Sequence, residues 1–293
     1  MAALVAAAPA LVAGPGTSGG NFLKIPAFSR GSSLGGAWVA MAEGTGALYY
    51  NPAGVGRGTS GEISVSHAEL YQDLRLDNVS ITYPFRNGSG IGFGLTYLGY
   101  GTINGYDIAG NATGLVSAYS FSISAAYSQR VTEILSVGVA VKPVFERLGD
   151  YTAQTVTFDL GAIAELGQLS MGARLANLGG SLKYVDESVK LPTMLCVGAA
   201  YRTLETNSVI SVAASKDNEG IYALGSGLEY RYNSNLIFRC GYGATLENRQ
   251  NASDGFGLGI GLDIQPITVD YAYRPSGSLD GIHQITGSFH FGS

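Results

Sequence analysis

The chain has 293 residues, of which 46% are hydrophobic and only 13% charged, with 43 glycines and 18 tyrosines. A soluble domain usually carries about 25% charged residues. No run of roughly eighteen apolar residues is present, which excludes a transmembrane helix on length. The net charge of -5 sets nucleic acid aside as a partner, since a basic footprint belongs there. Low charge with abundant Gly and Tyr suits a closed barrel whose strands are apolar on one face only.

In chain order, residues 1–20 come first. Met1 to Ala13 has the apolar character of a secretory signal without the basic residues that should precede it. It reads as a signal-peptide remnant, with the mature chain starting between about Gly14 and Gly20, or as a disordered N-terminus. Residues 21–58 do not alternate. Asn21 to Pro26 reads as extended chain. Ser33 to Glu43 predicts a short helix, capped by Ser33, with Leu34, Ala37, Trp38 and Met41 at helical spacing. Gly44-Thr45-Gly46 ends it, and Tyr49-Tyr50-Asn51-Pro52-Ala53-Gly54 reads as a tight turn into the first strand. Holding the only tryptophan, this stretch is too apolar for a free tail. It is expected to be a plug, or hatch, inside a barrel formed by residues 59–293; a cap packed outside the barrel mouth is the alternative.

From Glu62 onward apolar and polar residues alternate with period two. Asn78-Val79-Ser80-Ile81-Thr82-Tyr83 shows it, and Ile267 to Arg274 shows it most clearly. Fourteen such segments are expected, at 61–69, 76–85, 89–100, 116–128, 134–146, 153–165, 168–178, 193–203, 208–216, 221–232, 236–245, 255–264, 266–274 and 282–291. An even number is what a bacterial single-chain outer-membrane barrel requires. Links after the second, sixth, tenth and twelfth segments are short, Arg86-Asn87-Gly88 among them, and Asn-Gly tolerates the positive φ of a tight hairpin. Those after the third, seventh and eleventh are long, at about 100–115, 179–192 and 246–254. Periplasmic turns and extracellular loops sort in this way.

Charge placement decides between a soluble and a membrane barrel. Lys142, Asp159, Glu165, Arg174, Arg202, Glu229, Arg231, Arg239, Asp263, Asp270 and Arg274 all fall on the polar set of positions. The apolar set carries no charge away from strand ends. A lysine or arginine facing mid-bilayer costs about 2–4 kcal/mol, so lipid outside explains the pattern. Six basic and five acidic residues nearly balance, as in a lumen packed by cross-strand salt bridges. The same parity turns Cys196 inward and Cys240 outward, on strands three apart, so no disulfide is expected.

No metal site and no cofactor is expected. His67, His283 and His290 have no ligating spacing and stand beside no nucleophile motif, so an enzyme is not expected either. Gly90-x-Gly92-x-Gly94 and Gly257-x-Gly259-x-Gly261 have strand spacing, and no helix follows to cradle a phosphate. Facing inward, they leave space for the plug or for a ligand.

Arg30, Gly36, Ala37, Ala40 and Ala42, followed by Ala47-Leu48-Tyr49-Tyr50-Asn51-Pro52-Ala53-Gly54, resemble the N-terminal motif of PorV/PorQ proteins. The wider FadL-like class of outer-membrane barrels shares the Asn-Pro-Ala core. Further similar stretches follow in order: Asn177-Leu178-Gly179, Leu191-Pro192, Gly198-Ala199-Ala200-Tyr201, Arg239-Cys240-Gly241-Tyr242, Val269 to Tyr273 with Leu279 and His283, and Phe289-His290-Phe291. Two departures are Glu43-Gly44 ahead of the turn and Gly292-Ser293 after the closing aromatic. The resemblance implies a fourteen-stranded barrel with an N-terminal hatch in its lumen.

Three functions fit. In the first, the barrel is a passive transporter of hydrophobic small molecules, with Phe22, Phe28, Leu34, Trp38, Met41, Tyr49 and Tyr50 of the hatch touching the ligand. In the second, which follows from the PorV resemblance, it is an accessory subunit of type IX secretion. Its loops would then bind a translocon or secreted cargo through Tyr100, Tyr106 and Tyr184. In the third it is a closed structural barrel. Outer-membrane lipid is the expected surroundings in every case.

Overall fold

The computed structural model describes residues 18–246, 255–276 and 279–292. Residues 1–17 of the expected signal remnant 1–20, and most of the long link 246–254, lie outside the described residues.

Alternation becomes strand wherever it was expected. In chain order the strands are β1 (Gly61–Glu69), β2 (Arg75–Pro84), β3 (Ser89–Gly99), β4 (Ile103–Tyr106), β5 (Ala112–Val116), β6 (Ala118–Arg130), β7 (Leu135–Leu148), β8 (Tyr151–Leu166) and β9 (Leu169–Leu178). Then come β10 (Ser181–Tyr184), β11 (Glu187–Lys190), β12 (Met194–Thr203), β13 (Ser208–Asp217), β14 (Tyr222–Arg231), β15 (Leu236–Thr245), β16 (Gly255–Ile264), β17 (Ile267–Ser276) and β18 (Leu279–Phe291). Fourteen of them form one closed antiparallel barrel, β1 pairing with β18 from Gly61↔Phe291 to Glu69↔His283. The other four make two separate hairpins, β4–β5 and β10–β11.

The links follow the expected parity only in part. At one end of the barrel every described link is short: 85–88, 131–134, 167–168, 204–207, 232–235 and 265–266. At the other end, the links after β3 and β9 carry the two extra hairpins. The links after β7 and β13, at 149–150 and 218–221, are as short as those at the opposite end. The β7–β8 pair instead gains height by lengthening its ladder, to Leu148↔Tyr151.

The outer wall is apolar. Val65, Val79, Phe93, Leu160, Val197, Val212, Leu224, Leu258 and Ile285 are among the large side chains it exposes. Inward positions are small or polar, such as Ser64, Ser66, Ser80, Thr82, Ser122 and Thr157, all buried. Cys196 is half-buried and Cys240 exposed, and both are free. The outward charges sit near strand ends, where His67 Nδ1 meets Asp77 Oδ1 at 2.6 Å and Lys216 lies over the Tyr222 ring.

Residues 18–58 contact the inner face of this wall in several directions. Short helical turns at Asn21–Lys24, Ser29–Ser33 (α1), Gly44–Gly46, Ala47–Tyr50 (α2) and Pro52–Gly54 are joined by irregular chain. The helix expected over 33–43 is not there: α1 ends at Ser33 and residues 34–40 form turns. Gly35 and Gly36 have φ of 61° and 82°, which stops a right-handed helix. A side chain at Gly35 would also strike the Tyr242 backbone on β15, so contact with the wall, not helical period, sets this path.

An arginine placed on the outer face at Val212 is expected to destabilise the lipid-embedded barrel by about 2–4 kcal/mol, and one at Leu204 in a short turn by about 0–1 kcal/mol. Denaturant unfolding in vesicles measures both; equal costs would contradict an apolar belt in contact with hydrocarbon.

Candidate functional site

The Asn51-Pro52-Ala53-Gly54 turn is the point where the N-terminal segment is seated on the wall. Asn51 caps the turn by accepting the Ala53 N–H at 3.2 Å. Its amide nitrogen donates to Val39 O at 3.0 Å and to Ala162 O at 3.1 Å, so it reaches both its own segment and the β8 backbone. This approach needs a wall without side chains. A Cβ at Gly161 would collide with Asn51, at Gly138 with Pro52 and Ala53, and at Gly172 with Val39 and Ala40. On the opposite wall Gly225, Gly241 and Gly257 receive Ser32 to Gly35 in the same way. The space left by the β3 glycines is taken up too, since Gly90 meets Gly56 and Gly92 meets Leu48 and Val55.

The expected lumen charges group into clusters. Asp159 lies 2.6 Å from both Lys142 Nζ and Arg174 Nη2. A register shift between Phe158 and Leu160, with Asn177 at φ 55°, brings the Asn177 N–H to Asp159 Oδ1 at 2.8 Å and its side chain to Lys142 at 2.6 Å. In the second cluster Arg239 binds Glu229 and Asp270, each at 2.6 Å. Glu165 pairs with Arg57, and Arg231 with Asp263. Arg202 opens onto the cavity described below, and Arg274 acts electrostatically on Tyr49 and Tyr50.

Several partners were missed, because they lie in the segment that has no period. Arg30 joins the second cluster through Glu229 at 2.9 Å and Glu43 at 2.7 Å. Burial disfavours its charge, but the two carboxylates outweigh that and raise its pKa. Glu43, the departure noted ahead of the turn, thus has a defined partner. Glu146, also unforeseen, accepts hydrogen bonds from Tyr184 Oη at 2.5 Å and Ser120 Oγ at 2.9 Å, with Tyr100 beside them. Tyr100 and Tyr184 therefore fasten the long links to the wall, whereas Tyr106 projects with 65% of its surface exposed.

The seven aromatic and aliphatic residues expected to touch a ligand share one core cluster, with Tyr49 at its edge. Trp38 and Tyr50 rings lie 4.9 Å apart, Tyr49 and Tyr50 4.8 Å, and Phe28 packs edge-on to Trp38 at 6.5 Å. Burial raises the pKa of both tyrosines, keeping the phenols neutral. Only Phe28 and Trp38 reach the larger cavity, of about 510 Å³, at the short-link end. That cavity is mainly polar, with Arg202, Glu229, Arg231, Asp263 and His290 in its lining. Phe22, Phe28 and Tyr49 line a second space of about 20 Å³ together with Lys142 and Arg174. Leu34, Met41 and Tyr50 line neither; Leu34 packs over Gly227 and Gly241, and Tyr50 over Gly31.

No family model matches the chain, and no curated protein matches it in sequence. Solved structures do match in three dimensions. The FadL homologue of Pseudomonas aeruginosa aligns with a TM-score of 0.64 at 11% identity, covering 90% of this chain and 98% of that one. The toluene transporter TodX of Pseudomonas putida gives 0.65 at 13% identity, with 89% and 96% covered. The CymD monoaromatic hydrocarbon channel gives 0.63 at 13%, with 91% and 98% covered. The chain has the FadL-like barrel fold. At these identities the likeness carries the fold and leaves ligand and partner to the residues themselves.

Asp159→Asn leaves Lys142 and Arg174 facing each other without their shared carboxylate, and is expected to cost about 3–5 kcal/mol. Replacing all three with Met or Leu is expected to leave stability equal to that of the parent or above it by about 1–4 kcal/mol. Thermal unfolding in detergent distinguishes the two outcomes.

Proposed function

We propose that the protein is an outer-membrane conduit through which hydrophobic small molecules pass down their gradient, with residues 21–58 serving as its hatch. The observation that carries this reading is the buried aromatic cluster of Phe28, Trp38, Tyr49 and Tyr50, held by a segment seated on glycines instead of knitted into the sheet. An apolar pocket with a few polar fixers is how small hydrophobic ligands are held. The names of the structurally similar transporters point the same way.

A break in the pairing of the wall supports a route out of the cluster. The β6–β7 ladder pairs Ser122 with Val144 and Ala125 with Val141, and is interrupted between them. Pro143 stands at the interruption and has no N–H to donate. Ser122, Ser124 and Lys142 beside it line the small space that touches Phe22 and Tyr49. The weak seam is therefore between β6 and β7, not in the glycine run of β3, where the hatch already occupies the room. In this reading the segment shifts, the space grows, and an apolar ligand leaves toward lipid instead of crossing the charged cavity.

The secretion-subunit reading draws on the β4–β5 hairpin, whose Tyr106, Ile108 and Leu115 are exposed at 65%, 109% and 74%. It calls for a secretion-system protein recovered with the intact chain and lost when those three residues are changed to Ser.

Ser29 Oγ and Thr286 Oγ1 lie 2.9 Å apart, so cysteines at both positions, in a chain whose own Cys196 and Cys240 are Ser, tie the segment to β18. Oxidised, this variant is expected to lose at least about tenfold in uptake of an alkylbenzene by proteoliposomes and to recover on reduction. Unchanged uptake in the oxidised form would count against a moving hatch. No uptake by the parent protein would leave the closed structural barrel standing.

A further inference from the structure

The aromatic cluster contains two hydrogen-bond donors that find no acceptor among the described residues. Trp38 and Tyr50 are 4% and 6% exposed, and their rings lie 4.9 Å apart. Five buried side-chain polar atoms lack a partner among the described residues, and Trp38 Nε1 and Tyr50 Oη are two of them. The phenol end of Tyr50 is turned to Gly31 of α1, where a Cβ would strike Cζ and Oη. Carbonyls on that turn are engaged: Arg30 O accepts Ser33 Oγ and Gly31 O accepts the Gly36 N–H, each at 2.9 Å. Trp38 has the Arg30 guanidinium over its ring and Phe28 at its edge, and neither side chain can accept a hydrogen bond.

A buried donor without an acceptor is costly, and the rest of this interior is not built that way. Asn51 and Asn177, buried as deeply, are bonded at both ends of their amides. Indole N–H can only donate, and burial keeps the Tyr50 phenol neutral, with its proton to give. What the pair lacks is therefore an acceptor. It does not lack a negative charge, because the cations around it are already engaged. Arg30 pairs with Glu43 and Glu229, Arg174 pairs with Asp159, and Arg274 also has a partner. A carboxylate brought in here would be an unmatched buried charge.

We propose that the ligand of this cluster is an uncharged apolar molecule carrying one hydrogen-bond-accepting oxygen, an ether or a ketone, and that Tyr50 Oη and Trp38 Nε1 donate to it. The inference rests on the conduit reading and adds what the passenger must carry. Its apolar remainder packs against Phe28 and Tyr49, while its oxygen takes the two donors. A plain hydrocarbon fills the same space and leaves both donors unused, so the oxygen sets the preference.

Di-n-butyl ether and n-nonane test this, since they differ by one oxygen in place of one methylene. Trp38 is the single tryptophan of the chain, so its emission follows binding to the full-length protein in lipid nanodiscs. The preference for ether over nonane is expected to fall about three- to tenfold in Tyr50→Phe. Comparing parent with variant cancels the unequal partition of the two molecules into lipid. The variant loses only an unpartnered hydroxyl, so it is expected to unfold no earlier than the parent on heating. With isotope-labelled tryptophan, the one indole N–H resonance is expected to move downfield with the ether and to stay in place with nonane. An unchanged preference in Tyr50→Phe overturns the Tyr50 contact, and an indole resonance indifferent to the ether overturns the Trp38 contact. Uptake of both molecules by proteoliposomes would in either case leave the conduit standing. Binding of neither molecule, with no uptake, removes the proposal and the conduit together.

Discussion

Backbone against backbone is the contact on which the rest of the structure depends. Eight strands enclose about as much room as inward side chains can fill, and this barrel has fourteen. The additional interior has to be packed by other parts of the chain, and a chain can come that close only where the wall lacks side chains. Gly138, Gly161 and Gly172 clear one such surface across β7, β8 and β9, and Gly225, Gly241 and Gly257 clear another across β14, β15 and β16. Asn51 turns the first surface into a joint. Its amide bonds Val39 and Ala162 together, so the turn and the wall share one hydrogen-bonding side chain. The Asn-Pro-Ala core is therefore a seat as much as a turn.

Charge performs the fastening that backbone contact leaves undone. Lys142, Asp159 and Arg174 belong to the wall alone and brace the irregular β8–β9 register. Glu229 and Arg239 also lie in the wall, but they extend to Arg30 and through it to Glu43. Lys24 makes a corresponding link at the far end, to Asp217. Buried ion pairs contribute little net stability once desolvation is counted, and more to choosing one geometry among several. Their distribution suits that purpose: ion pairs hold Lys24, Arg30 and Glu43 of the segment, and the Asn51 turn seats its later part.

How legible each part was follows from how far apart in sequence its contacts lie. Strands were legible because a wall with hydrocarbon outside and polar groups inside imposes period two on every spanning segment. Asp159, which the parity argument turned inward, is fully buried. Arg30 and Arg57, the partners of Glu229 and Glu165 from the segment, were not legible, since they sit in a stretch whose path is set by the wall. The same cause defeats the helix expected over 33–43. Leu34, Ala37, Trp38 and Met41 have helical spacing, but Gly35 and Gly36 bend the chain onto β15. Link lengths were a partial guide, because β7 and β8 extend their ladder instead of lengthening the turn between them.

The two ends of the interior differ in chemistry, and that difference constrains any passage through it. The short-link end opens on a cavity of about 510 Å³ whose lining carries Arg202, Glu229, Arg231 and Asp263. An apolar molecule gains nothing by moving from the aromatic cluster into such a space, because the guanidinium and carboxylate groups there keep their water. The seam at Pro143 offers the opposite balance. On its outer side Ile123, Val139 and Val141 are exposed toward the apolar belt, and just inside it the small space already touches Phe22 and Tyr49. Lys142 stands at that threshold, but Asp159 and Asn177 hold its ammonium back against the wall. With its cation tied down, the threshold presents mainly serine hydroxyls and the lysine stem. On the proposed reading, a conduit built this way admits apolar molecules and rejects ions without needing a selective pore.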